Sequence, residues 1–213
     1  MSSAKFPKRK FVYADPSKCT GCGICEYACI KEKGESTPLL SRIRIVRMKP
    51  LFNFALSCRA CENAKCVLAC PEKALSQEEA TGIIMLDEAK CRGCDWCVQA
   101  CEHGGISIHP NKGFSVACDL CGGEPKCVEL CPEEALEIIS TDEEANKRWS
   151  ESLEKLPAEI ERIINVVENN DWKTMLAESE ERSKKVSEKL EALSKKVNTR
   201  ADLNASDRRA KSS

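Results

Sequence analysis

The stretch Cys19-Thr20-Gly21-Cys22-Gly23-Ile24-Cys25-Glu26-Tyr27-Ala28-Cys29 decides the fold. Three cysteines spaced by two residues, with a fourth after three more, form the run that folds round a 4Fe–4S cluster. The first three can wrap one cluster from a tight loop. Cys29 follows Cys25 by about one helical turn and is carried away from that loop, so it can reach a second cluster. The signature recurs as Cys58, Cys61, Cys66, Cys70; as Cys91, Cys94, Cys97, Cys101; and as Cys118, Cys121, Cys127, Cys131. Four groups of four cysteines predict four cubane clusters.

All sixteen cysteines of the 213-residue chain lie before residue 140, where the composition shifts. Aromatics are only 5% of the chain, so a conventional core is modest and bound clusters have to serve as core. An even cysteine count also permits a secreted disulfide scaffold. The start MSSAKFPKRKF speaks against that, because no apolar signal core follows its basic residues. No stretch approaches the roughly 18 consecutive apolar residues of a membrane span. We therefore expect a soluble, cytoplasmic protein in a reducing setting. A formal net charge of −1 lacks the basic excess of a nucleic-acid binder.

Thiolate is a soft ligand, so four-cysteine sets select zinc or iron–sulfur centres. Structural zinc sites join two distant CxxC knuckles, whereas here three close cysteines precede a lone fourth. A zinc-dependent structural or nucleic-acid-binding module is thus the weaker reading. Repeated pairing within CxxC would strain a disulfide. His103 and His109 are the only histidines, and no Ser-His-Asp set, Walker loop or GxGxxG is present. The chain reads as a wire with no catalytic residues of its own. His103 is expected to polarise a cluster by hydrogen bonding, Trp96 to pack against one, and Arg59, Lys65 and Arg92 to raise the local potential.

Short strands are expected at Phe11–Tyr13, Arg42–Met48 (ended by Pro50), Phe52–Leu56, Gly82–Leu86, Ile106–Ile108 and Ala135–Ile139. Each cysteine run then sits among short strands and a short helix, an internal repeat of about 30 to 40 residues. The basic arm Lys5, Lys8, Arg9 and Lys10 reads as solvated, and the arginines of 42–48 as the wet face of their strand. Gly21 and Gly23 supply unusual backbone angles in the first run. The second run lacks glycine, and its longer gap is expected to carry it round the cluster. Beyond Ser140 a capped helix begins, with Leu153, Leu156, Ile160, Ile163 and Val167 as its apolar stripe and Pro157 as a kink or new start. Asn169-Asn170-Asp171 reads as a turn. Val186, Leu190, Leu193 and Val197 continue the three-four step, with Glu181 and Lys185 placed to pair.

The gaps of 2-2-3, 2-4-3, 2-2-3 and 2-5-3 resemble those of the four-cluster iron–sulfur subunits of molybdopterin and tungstopterin oxidoreductases. That group includes the iron–sulfur partners of formate dehydrogenase, dimethyl sulfoxide reductase and aldehyde oxidoreductase, with relatives beside hydrogenases and carbon monoxide dehydrogenase. The resemblance implies an α+β fold of two nested bacterial 2(4Fe–4S) ferredoxin-like units within residues 8–140. The outer unit takes about 8–50 plus 113–140 and the inner about 51–112. A helical extension at 141–198 and a disordered tail at 199–213 follow. The implied ligand sets exchange each fourth cysteine. Cys19, Cys22 and Cys25 take Cys131 (site A), and Cys118, Cys121 and Cys127 take Cys29 (site B). Cys58, Cys61 and Cys66 take Cys101 (site C), and Cys91, Cys94 and Cys97 take Cys70 (site D). Ile30 and Glu102 depart from the proline that often follows such a run. The implied function is electron transfer between a catalytic subunit and a second redox partner such as a ferredoxin or flavin subunit. A tungsten or molybdenum pterin aldehyde or formate oxidoreductase leads as catalytic partner; a hydrogenase or carbon monoxide dehydrogenase is the alternative. The C-terminal helices are expected to dock a partner, to mediate self-assembly, or to fold back on the body.

Overall fold

The computed structural model describes residues 6–48 and 52–210, with side chains described up to residue 192. Lys5, Pro50 and residues 211–213 lie outside the described residues. Four two-stranded antiparallel sheets alternate with the four cysteine runs. β1 (Phe11–Ala14) precedes the first run, and α1 (Ile24–Lys33) carries that run's last cysteines. β2 (Arg44–Met48) and β3 (Phe52–Leu56) form the hairpin into the second run, which is closed by α2 (Lys65–Leu68). β4 (Leu75–Gln77) and β5 (Ile84–Leu86) lead to the third run and α3 (Trp96–Gln99). β6 (Ile106–Ile108) and β7 (Ser115–Ala117) lead to the fourth run, α4 (Lys126–Leu130) and β8 (Leu136–Ile139).

β8 returns to pair with β1, Phe11 opposite Ile139 and Ala14 opposite Leu136. The first and last strands of the cysteine region thus close on each other. Every residue of β1 is buried. A lone two-stranded ribbon is marginal in water, so these sheets depend on what packs against them. α1 packs on α4, α2 packs on α3, and β1 lies against β3. One core group joins Ala64, Leu75, Ile84 and Ile106 to the Cys66 and Cys97 side chains, so thiols are part of the hydrophobic interior. A second joins Phe11, Tyr13 and Ile139 to Ala145, with Trp149 at its edge.

The mixed helix and short-strand architecture follows the sequence expectation, with two short strands added. β4 and β7 are three residues long, too short to show a period, and exist as the mates of β5 and β6. Arg9 is not solvated: it is 7% exposed, and its guanidinium meets Asp142 at 2.9 Å and the Arg59 carbonyl at 3.1 Å. Its guanidinium also lies 5.0 Å from the centre of the Phe11 ring. Arg42 precedes β2 and turns inward, meeting the Asp119 carboxylate at 2.8 Å.

α5 (Asp142–Glu168) starts where the sequence places it. The Thr141 hydroxyl accepts the Glu144 N–H at 3.2 Å, and three acidic residues in the first turn suit the positive helix end. The helix runs unbroken through Pro157. Its buried face is Ala145, Ser152 and Leu156, with Trp149 edge-on to Phe54 at 5.2 Å and Tyr13 Oη 3.5 Å from Ser152 Oγ. This corrects the expected stripe: Leu156 is buried, whereas Leu153, Ile163 and Val167 are exposed. The first half of the helix therefore folds back on the cysteine-bearing body.

The chain divides into two compact units, Met1–Ile163 and Ile164–Ser213. In the second, Asn170 takes a left-handed φ of 51° and the Asp171 N–H donates to the Val166 carbonyl at 3.0 Å, closing the expected turn. α6 (Trp172–Ala210) follows, with Glu181 and Lys185 paired at 3.0 Å. It continues through 199–210, a stretch read from sequence as disordered.

Candidate cluster sites

One backbone device repeats in all four runs. Two residues after the first cysteine the chain turns left-handed: Gly21 (φ 72°), Ala60 (47°), Gly93 (65°) and Leu120 (54°). This turns N–H groups toward sulfur, with Ala60 N 3.5 Å from Cys58 Sγ and Leu120 N 3.5 Å from Cys118 Sγ. Ala60 supplies in the second run what glycine supplies in the first and third; the longer Cys61-to-Cys66 gap is not a substitute for it. Holding a side-chain-bearing residue there costs about 1–2 kcal/mol, so the surrounding structure has to impose it.

A second device closes three of the four runs. Three residues past the last cysteine, Lys73 (φ 50°), Gly104 (62°) and Glu134 (50°) are left-handed. The next N–H then donates to that cysteine: Ala74 to Cys70, Gly105 to Cys101 and Ala135 to Cys131, each at 3.3 Å. The first run departs from this, and Ile30 is where the departure begins. α1 continues four residues past Cys29 to Lys33, so its N–H groups stay in the helix. Arg42 N, 3.3 Å from Cys29 Sγ, takes the role from a distant loop. Glu102, the other departure, pairs instead with Lys65 at 2.5 Å.

The cysteines come together across runs. One hollow is lined by Cys19, Cys22, Cys25 and Cys131, with Ile45 and Ala55 behind them. A second holds Cys58, Cys61, Cys66 and Cys101. A third holds Cys70, Cys91, Cys94 and Cys97, with Ile108 and Ser115. Cys118, Cys121 and Cys127 are near enough to Cys29 to feel its charge. Among the described residues no disulfide joins the cysteines; Cys22 and Cys94 are exposed, and the rest are buried or half-buried. Burial pushes the thiols up: Cys58 and Cys118 to about 12 and Cys66 to about 11, with Cys25 and Cys127 raised further. Ligation of iron must therefore displace a proton from each of these five thiols.

Among the described residues no three His, Cys, Asp or Glu side chains close on a single-ion position. Four soft sulfurs round a hollow, with amide N–H groups turned onto them, are a donor set that fits a cubane. The side chains that flank the hollows differ in their surroundings. Trp96 is 58% exposed and does not pack in the interior. Lys65 and Arg92 are matched by Glu102 and Glu72, so neither stands as a lone positive charge. His103 lines the Cys58 hollow beside Arg59, and burial lowers its pKa. His109, not assigned a role from sequence, is buried; its Nδ1 accepts from the Asn111 and Lys112 N–H groups and its Nε2 lies 3.2 Å from Glu35. That contact ties the β6–β7 turn to the end of α1.

Sulfur hollows of this kind define an iron–sulfur electron carrier. The sequence profile of the 4Fe-4S dicluster domain matches residues 50–141. The chain is 42% identical over 142 residues to the aliphatic sulfonate oxidoreductase, polyferredoxin-like subunit, of Pyrococcus furiosus, covering 65% of this chain and 82% of that one. It is 34% identical over 151 residues to the thiosulfate reductase electron transfer subunit PhsB of Salmonella typhi (63% and 78% covered). With electron transport protein HydN of Escherichia coli it shares 32% over 179 residues (72% and 95%). The chain belongs to the polyferredoxin-like 4Fe–4S electron-transfer subunits of oxidoreductases. It carries four 4Fe–4S clusters, relays electrons within an oxidoreductase complex, and is not the catalytic subunit. Among the described residues no helix is long and apolar enough to cross a membrane.

Proposed function

We propose that this chain holds its clusters in two nested units and sets them in one row, A–B–C–D, between a catalytic subunit and a second redox partner. Each cluster, when bound, takes up and releases one electron. Cys19, Cys22, Cys25 and Cys131 would hold A; Cys118, Cys121, Cys127 and Cys29 B; Cys58, Cys61, Cys66 and Cys101 C; Cys91, Cys94, Cys97 and Cys70 D. The packing of α1 on α4 and of α2 on α3 supports the nesting, as does the β1–β8 pair. Adjacent sites share close thiols: Cys25 with Cys127, Cys118 with Cys58, and Cys66 with Cys97. The observation that carries the reading is exposure. The two exposed cysteines, Cys22 and Cys94, belong to the end sites A and D, whereas those of the middle sites are buried or half-buried.

The catalytic partner is a tungsten or molybdenum pterin oxidoreductase in the cytoplasm, a reading supported by the resemblance of the cysteine gaps and by a relative that is the polyferredoxin-like subunit of an oxidoreductase. The exposed Trp172, Met175 and Leu176 of the second unit support its use in docking or self-assembly. Anaerobically purified protein should contain about sixteen iron and sixteen acid-labile sulfide per chain. About four zinc with no sulfide would overturn the proposal.

A further inference from the structure

Ser115 opens β7, is 2% exposed, and pairs across the ribbon with Ile108. Its Oγ lies 3.9 Å from Cys91 Sγ, and Cys97 lines the same hollow. An iron-bound thiolate has no proton to give, so the hydroxyl must be the donor and the sulfur the acceptor.

The repeat supplies an internal comparison. The A hollow is backed by Ile45 and Ala55, a cross-strand pair of β2–β3. The D hollow is backed by Ile108 and Ser115, the cross-strand pair of β6–β7. In both places an isoleucine faces a small buried residue, and only at D does that residue carry a hydroxyl. A donor to a ligand sulfur favours the more negative, reduced state of the centre, because the hydrogen bond strengthens as charge on sulfur grows.

We infer that Ser115 raises the reduction potential of site D by donating its hydroxyl hydrogen bond to the Cys91 thiolate, an inference that rests on the ligand sets proposed above. Ser115 acts through Cys91 and is a positioning residue. Its proton stays on oxygen, and only the electron moves. At the exposed end of the row, this holds an arriving electron at D until a partner collects it.

The test is an anaerobic redox titration of the full chain followed by electron paramagnetic resonance. In Ser115→Ala all four clusters should be retained, and one midpoint potential should fall: that of the signal removed by Cys94→Ser. Ser115→Thr, which keeps the hydroxyl, should hold the wild-type value. If Ser115→Ala loads incompletely, Ser115→Val compared with the isosteric Ser115→Thr carries the test, since only Thr donates. Unchanged potentials, or equal shifts in Thr and Val, overturn the inference and leave the ligand sets standing. If Cys94→Ser and Cys61→Ser remove the same signal, the ligand sets fall and the inference with them.

Discussion

Gly105 sits where two cysteine runs meet, and replacing it with alanine is a purely steric perturbation. Its φ lies outside the left-handed region, so a side chain adds no backbone strain there. An added Cβ would stand 2.5 Å from Cys58 Cα, 2.7 Å from Cys58 N and 2.8 Å from the Ser57 carbonyl oxygen, against ordinary contact from 3.4 Å. The obstruction is backbone and cannot rotate aside, so the Cys58 segment has to move by about an ångström. Overpacking of this kind costs about 1–3 kcal/mol, and rigid neighbours put it at the upper end. The same residue donates its N–H to Cys101 Sγ at 3.3 Å, so the shift disturbs two of the four sulfurs assigned to site C. Gly105→Ala should lose about four of sixteen iron atoms and one resonance signal, with stability reduced by about 3 kcal/mol. Gly34→Ala is the control: nothing lies within 4 Å, its φ is +67°, and the cost is the left-handed penalty of about 1 kcal/mol with no iron lost. Full iron content and near-wild-type denaturation in Gly105→Ala would refute the reasoning.

Arg9→Met should cost about 2 kcal/mol in equilibrium unfolding, because it removes charge-assisted bonds to Asp142 and the Arg59 carbonyl while leaving Asp142 half-solvated. Asp142→Asn, which still accepts, should cost less; equal losses would contradict that account. Glu35 titrates below its ordinary 4.5 because His109 donates to it and Lys112 lies close. Its contribution is therefore full above pH 4.5 and is lost as pH falls through the lower folded-state value. The gap in thermal midpoint between wild type and Glu35→Gln should close on acidification; a gap that widens contradicts the assignment.

Chemistry was more legible in the sequence than geometry. Sixteen thiols at cluster spacing name their ligand, because softness and close spacing are properties of residue type and position. The left-handed turns at Ala60, Lys73, Leu120 and Glu134 were not legible, since these residues disfavour that conformation when nothing imposes it. Only the recurrence of the position, two past the first cysteine, could have pointed from Gly21 and Gly93 to Ala60 and Leu120. Arg9 looked solvated because its partner Asp142 lies 133 residues on. The buried face of α5 was displaced from the apolar stripe because small Ala145 and polar Ser152 line it. Their size lets the helix approach β1, and the Tyr13 hydroxyl supplies the polar partner. Strands β4 and β7 are set by hairpin partners, which a three-residue segment cannot announce.

The exchange of fourth cysteines between runs is the central claim, and ligand replacement tests it most directly. Cys29→Ser, Cys121→Ser and Cys22→Ser should be compared by electron paramagnetic resonance of the anaerobically reduced proteins. The account predicts that Cys29→Ser loses or alters the same signal as Cys121→Ser and leaves intact the one altered by Cys22→Ser. If Cys29→Ser matches Cys22→Ser instead, each run holds its own cluster and the nested arrangement is wrong.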